Sequence, residues 1–230
     1  MNGEPPPAFT YDRQPRSDLR RFLLTLRLAG RDLLEQMSLF GMGNLVAAFL
    51  LLIPPLFPLA LAGLWRAAAL VAQEEEPGWE ALWDGATHRI GRTLGLTGAA
   101  ALGYALCAMN LRFYGLEEVP LPFPADERLL LAVQLFWGVV ALLWTLYWLY
   151  VAGCLALDAP STREALTCAA HLLTAHPLFA FLLGLLLLAL LLLTAYVPAL
   201  LVLLVWAGMA VLSVRSVQLL RHGVPVPVRR

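Results

Sequence analysis

"LFGMGNLVAAFLLLIPPLFPLALAGLWRAAALVA", Leu39 to Ala72, decides how this chain folds: 34 residues carry a single charge, Arg66. As one helix the stretch would be about 51 Å long at a rise of about 1.5 Å per residue. A hydrocarbon core is only about 30 Å thick. One span cannot hold it, and "IPPLFP", Ile53 to Pro58, supplies the break. Pro55 and Pro58 lack amide donors, and a proline disfavours helical backbone in the residue before it. Two spans are predicted, 37–54 and 57–73, joined by an outer turn.

The rest of the chain has the same character. It is 60% hydrophobic and 14% charged, with a mean hydropathy of +0.73, against about 45–50% apolar residues in a soluble domain. The lipid bilayer is therefore the expected partner, and nucleic acid is not. All sixteen basic residues are arginine, balanced by sixteen acids to a net charge of zero. Cys107, Cys154 and Cys168 are widely spaced in or beside apolar runs, which suggests inert packing rather than a disulfide framework or a zinc site. "SDLRRFLLTL", Ser17 to Leu26, resembles a twin-arginine export signal, but Arg27, Arg31 and Asp32 interrupt its apolar core, so it is expected to be retained.

Residues 1–16 are polar and proline-bearing and read as a disordered tail. From Ser17, apolar residues recur at helical spacing with Arg20, Arg27 and Arg31 largely between them. That pattern predicts an amphipathic helix, either in the membrane interface or packed on the bundle. After the hairpin, "QEEEPGWEALWDGATHRIGR" places Trp79, Trp83, Ala86 and Ile90 on one helical face, suited to the headgroup layer. A third span is predicted at 93–113 and a fourth at 129–152, around a proline-rich loop. Ser161 with Glu164 forms a capping-box pattern opening a short amphipathic helix. Pro177 to Val214 again exceeds one span, and Pro198 is its expected turn, giving spans at 178–195 and 198–215. The predicted fold is all-α: a polytopic membrane helix bundle of about six spans in one domain, 17–222, with a short basic tail at 223–230.

Orientation follows from charge. With six spans, fourteen of the sixteen arginines fall on the side of the termini, and only Arg112 and Arg128 fall opposite. The positive-inside rule then puts both termini in the cytoplasm of a multi-pass protein. A shift of 84 residues lays "EAL" at Glu80 on "EAL" at Glu164, with spans two and three on spans four and five. This is a parallel pseudo-repeat of the sort some transporters use.

No nucleophile, metal or phosphate motif stands in the sequence, and neither an enzyme activity nor a cofactor is expected. His88, His171, His176 and His222 lack zinc-protease spacing. Polar residues at membrane depth are the default functional suspects because they are costly there. They are Asn44, Arg66 and Asn110, joined by Tyr104, Tyr147 and Tyr150 as residues that could line a ligand-sized cavity. Asn44 also suits a helix-to-helix hydrogen bond, and Arg66 can snorkel to headgroups.

"GNLVAAFLLLIPP" (Gly43 to Pro55), "LAGLWRAAALVAQEEEPGWEALWDG" (Leu61 to Gly85) and "NLRFYG" (Asn110 to Gly115) resemble the YesL-type family of bacterial integral membrane proteins, over about residues 17–222. Pro58 and "LALAG" depart from that family's pattern at the start of the second span. The resemblance implies a bacterial cell-membrane protein without established biochemical activity, accessory or regulatory to carbohydrate uptake. Its implied partners are ABC-type transporter subunits, with a homo-oligomer as the alternative assembly. The competing reading is a small-solute transporter or channel built on the pseudo-repeat.

Overall fold

The computed structural model describes residues 9–12, 17–88, 90–115, 127–157, 161–197 and 205–227. The predicted outer loop over 115–127, most of the N-terminal tail, Arg89 and the Pro198 turn lie outside those residues.

Helix α1 (Asp18–Glu35) opens on Ser17, whose hydroxyl accepts the Arg20 N–H at 3.4 Å. Gln36 then breaks the chain, and α2 (Met37–Leu50) leaves at 89° to α1. The two helices differ in kind: α1 carries the arginines and one buried stripe of Thr25, Ala29 and Asp32, whereas α2 has no charged residue. The proline break is where length arithmetic puts it. Residues 51–56 form an exposed turn, and α3 (Phe57–Ala72) starts with Pro58 in its first turn, where a missing amide costs no hydrogen bond.

The C-terminus of α3 is a Schellman cap. Glu75 N–H bonds the Leu70 carbonyl and Glu74 N–H the Val71 carbonyl, each at 3.0 Å, with Glu74 in the left-handed region at φ 61°. A short α4 (Trp79–Thr87) folds back on α3, with Trp79 and Trp83 exposed. Glycines allow this close approach: a Cβ at Gly63 would overlap the Leu82 carbonyl, and one at Gly85 would lie 2.6 Å from Arg66 Cβ. Then follow α5 (Ile90–Gly115), α6 (Glu127–Leu157), α7 (Thr162–Ala175, capped by Ser161 Oγ accepting Glu164 N–H at 3.2 Å), α8 (Pro177–Tyr196) and α9 (Trp206–Arg221).

A helix overlaps each of the six predicted spans, with α2 ending at Leu50 and α9 lying C-terminal to its prediction, at Trp206–Arg221 against 198–215. Among the described residues α5, α6 and α8 are long and apolar enough to cross a membrane, and a fourth crossing is counted if the bent pair α1 and α2 is one span. Helices α2, α3 and α9 are shorter, at 14, 16 and 16 residues. The pseudo-repeat predicts matching order in α3–α4–α5 and α6–α7–α8. The order matches, while α3 and α6 differ in length, 16 against 31 residues.

Helix α9 forms the axis of the bundle. Residues 210–219 are buried on every side, because α1, α2, α3 and α6 pack around it. Its polar residues Ser213, Arg215, Ser216 and Gln218 are thus inside the protein and not at a lipid face. The lipid-compatible surface is elsewhere: Leu102, Met109, Leu135, Phe136 and Leu191 are all at least 60% exposed on α5, α6 and α8. Exposed apolar area on this scale marks a membrane-facing surface. Helix α1 docks on α8 and α9 through the stripe of Thr25, Ala29 and Asp32, while its apolar residues Leu19, Leu23 and Leu34 stay exposed. Where tails are predicted at both ends, Phe9–Asp12 and Val224–Pro227 instead pair as a short antiparallel ribbon, Phe9 opposite Pro227.

Candidate functional site

The four helices α3, α5, α6 and α9, with α4 at one end, line a partly open cavity of about 760 Å³. Each wall is a stripe at helical spacing. On α3 it is Leu61, Ala62, Trp65 and Arg66; on α5 it is Arg92, Thr93, Leu96, Thr97, Ala100 and Tyr104. Helix α6 contributes Thr145, Trp148, Ala152 and Leu155, and α9 contributes Trp206 and Met209. The α5 stripe runs about 18 Å from Arg92 to Tyr104 at helical rise.

Charge is confined to one end, where Arg66, Arg92, His88 and Asp84 meet the cavity. Arg66 Nε lies 3.8 Å from Asp84 Oδ2, and both side chains are about half exposed. A pair at that distance and exposure contributes little to stability, so an incoming anion can compete for the arginine. At the far end Tyr104 Oη donates to Thr145 Oγ1 at 3.0 Å. Between the two ends the wall is mostly alkyl and aromatic, with the hydroxyls of Thr93 and Thr97 on α5. Trp65 Nε1 donates to Ser213 Oγ at 3.1 Å, which ties that ring to α9. The indole nitrogens of Trp148 and Trp206 are buried without a hydrogen-bond acceptor among the described residues, a costly state for a polar group in an apolar setting.

Of the six sequence-predicted site residues, the structure brings Arg66 and Tyr104 to this cavity. Asn44 is elsewhere: fully buried on α2, it accepts the Ala207 N–H through Oδ1 at 2.7 Å. That amide is in the first turn of α9, so Asn44 supplies across the helix pair what a capping side chain supplies locally. Asn110 Nδ2 donates to its own helix at the Leu106 carbonyl, 2.8 Å away. Tyr147 Oη donates to the Leu166 carbonyl at 3.4 Å, joining α6 to α7. Tyr150 is 0% exposed in the core between α6, α7 and α8. These four do not line this cavity, and the structure places them in helix packing. Asn44, Asn110 and Tyr147 bond helix backbones, and the Tyr150 hydroxyl is buried without a hydrogen-bond partner among the described residues, so hydropathy alone gives no distinction between them and a site.

Sequence reasoning missed Arg92, Asp84 and the cavity tryptophans. The signal for Arg92 was present in the i, i+4, i+8, i+12 spacing of Arg92, Leu96, Ala100 and Tyr104. It also missed a buried ion pair behind the cavity wall. Arg215 and Asp32 are 0% and 1% exposed, and the guanidinium reaches the carboxylate through Nε at 2.5 Å and Nη2 at 2.9 Å. Nη1 bonds the Ala72 carbonyl at 3.1 Å and Gln218 Oε1 at 2.8 Å, while Gln218 Nε2 bonds the same carbonyl at 2.8 Å. The cation thus sits on the negative end of α3.

Among the described residues no three His, Cys, Asp or Glu side chains gather as a metal site would need. Comparison with protein-family models, curated proteins and solved structures finds no match to this chain.

Proposed function

We propose that this membrane protein binds an organic anion with an apolar body in the α3–α5–α6–α9 cavity and conducts it across the bilayer. The observation that carries the reading is the polarity of the cavity itself. Two arginines, with Asp84 and His88, stand at one end of a mostly alkyl and aromatic volume of about 760 Å³, within the roughly 300–1,000 Å³ typical of ligand pockets. An arginine presents donors that match carboxylate or phosphate, and the apolar stripe of α5 continues from the charged end for about 18 Å. The parallel pseudo-repeat, with both termini cytoplasmic and six spans, is part of the same proposal. It is supported by the arginine distribution and by helices overlapping all six predicted spans. The short α2, α3 and α9 fit it through local bilayer thinning and snorkelling of flanking residues.

The test is intrinsic tryptophan fluorescence of the protein in nanodiscs, since Trp65, Trp148 and Trp206 line the cavity. Decanoate is expected to shift the emission saturably, and decanol or decyltrimethylammonium to do so at least roughly ten-fold more weakly, about 1.4 kcal/mol. Arg66→Gln and Arg92→Gln should each weaken decanoate by a similar factor, and proteoliposomes should take up the anion. Equal responses to all three amphiphiles would overturn the anion reading. The accessory role in carbohydrate uptake rests on the YesL-type resemblance. It would gain if the protein co-purified with transporter subunits and neither bound nor moved the anion.

A further inference from the structure

Two of the three cysteines, remote in sequence terms, are neighbours in space. Cys154 on α6 and Cys168 on α7 have their sulfurs 3.1 Å apart, and neither is in a disulfide. Cys154 is fully buried, while Cys168 is half-buried at the edge of the same cluster. The two helices are held together around them: Ala165, Ala169 and Leu172 of α7 pack into a core with Leu146, Tyr150 and Val151 of α6. Sulfurs at this distance across a packed helix interface are close enough for one to attack the other.

We propose that Cys154 and Cys168 are an oxidative modification site, a dithiol that closes to a reversible disulfide. Cys168 is the member that a peroxide can reach. Its sulfur attacks one peroxide oxygen, the O–O bond breaks, and Cys168 becomes a sulfenic acid while the other oxygen leaves as water. Cys154 then attacks the Cys168 sulfur. The S–S bond forms, and the hydroxyl leaves with the Cys154 proton as a second water. Two thiols and one peroxide give one disulfide and two waters: the sulfurs lose two electrons and the peroxide gains them. A small dithiol reverses the bridge by exchange and is itself oxidised.

The bridge would fasten α7 to α6 next to Val151 and Leu155, which face the cavity from α6. The site stands whether or not the cavity binds an anion, because it rests on the two sulfurs alone.

The test uses the full chain in detergent, treated with hydrogen peroxide, quenched with iodoacetamide and read by intact mass and peptide mapping. The expected result is loss of two hydrogens, one cross-linked peptide joining residues 154 and 168, and reversal by dithiothreitol. Cys107, buried on α5, should stay out of the bridge, so Cys107→Ser should behave as the parent. Cys168→Ser should abolish the mass loss and leave Cys154 unoxidised. The proposal is overturned if peroxide leaves Cys154 and Cys168 as thiols. It is equally overturned if Cys168 proceeds to sulfinic acid while Cys154 remains a thiol.

Discussion

Arg215 Nε lies 2.5 Å from Asp32 Oδ2, across 183 positions of sequence, with both side chains removed from solvent. This pair joins α1 to α9, and through the Ala72 carbonyl it joins both to the end of α3. Removing one partner strands the other charge in the interior, which costs about 3–5 kcal/mol. Asp32→Asn and Arg215→Met should each lower the unfolding temperature in detergent markedly. Arg215→Lys should not rescue, because an ammonium cannot hold the carboxylate and two carbonyl contacts in one plane. The double replacement Asp32→Leu with Arg215→Met should lose less than the sum of the singles. Additive losses would mean that the two side chains act separately.

Asn44 makes a smaller contribution of a different type. Its Oδ1 accepts a buried amide in the first turn of α9, so Asn44→Ala should cost about 0.5–2 kcal/mol, the range of a lost helix cap. The cavity does not use Asn44, so decanoate binding by the folded fraction should be unchanged. A selective loss of binding with stability intact would return Asn44 to the site.

Glycines separate into those that a neighbour needs and those it does not. Gly63→Ala drives a methyl group into the Leu82 backbone and should part α3 from α4, seen as a lower unfolding temperature and altered Trp83 emission. Gly98 on α5 has nothing within 4 Å of a built Cβ. Gly98→Ala should therefore be neutral, or should stabilise by about 0.5–1 kcal/mol through helix propensity. Equal effects at the two positions would contradict the close α3–α4 packing.

Glu74 holds the left-handed position of the α3 cap at φ 61°. A side chain with a Cβ is strained there and glycine is not. Glu74→Gly should raise the unfolding temperature slightly, by the equivalent of about 0.5–1 kcal/mol. Glu75→Gly, one residue on, should not. A drop with Glu74→Gly would show that the carboxylate has a role that the cap does not explain.

The helices and the hairpin break were legible from length and hydropathy, because a bilayer sets a span length and proline removes a backbone donor. Ser161 and its short helix were legible from local capping chemistry, which needs only residues three apart. The site was legible only in part. Arg66 and Tyr104 stood out as polar residues in apolar runs, but so did Asn44, Asn110 and Tyr147, which bond backbone groups, and Tyr150, which is packed in the core. Hydropathy measures the cost of a polar residue at depth and is silent on which atom offsets it.

By itself, then, the sequence determined a membrane helix bundle, the approximate places of its helices and the proline turn. Only the tertiary structure decided that α9 is the axis and α5, α6 and α8 the lipid-compatible surface. It also decided that Arg215 faces Asp32 across 183 positions, that Cys154 meets Cys168, and that Asn44 on α2 caps another helix. The reason is physical: helix formation and span length depend on neighbours a few residues apart, while an ion pair, a thiol pair or a cavity depends on which faces of distant helices meet.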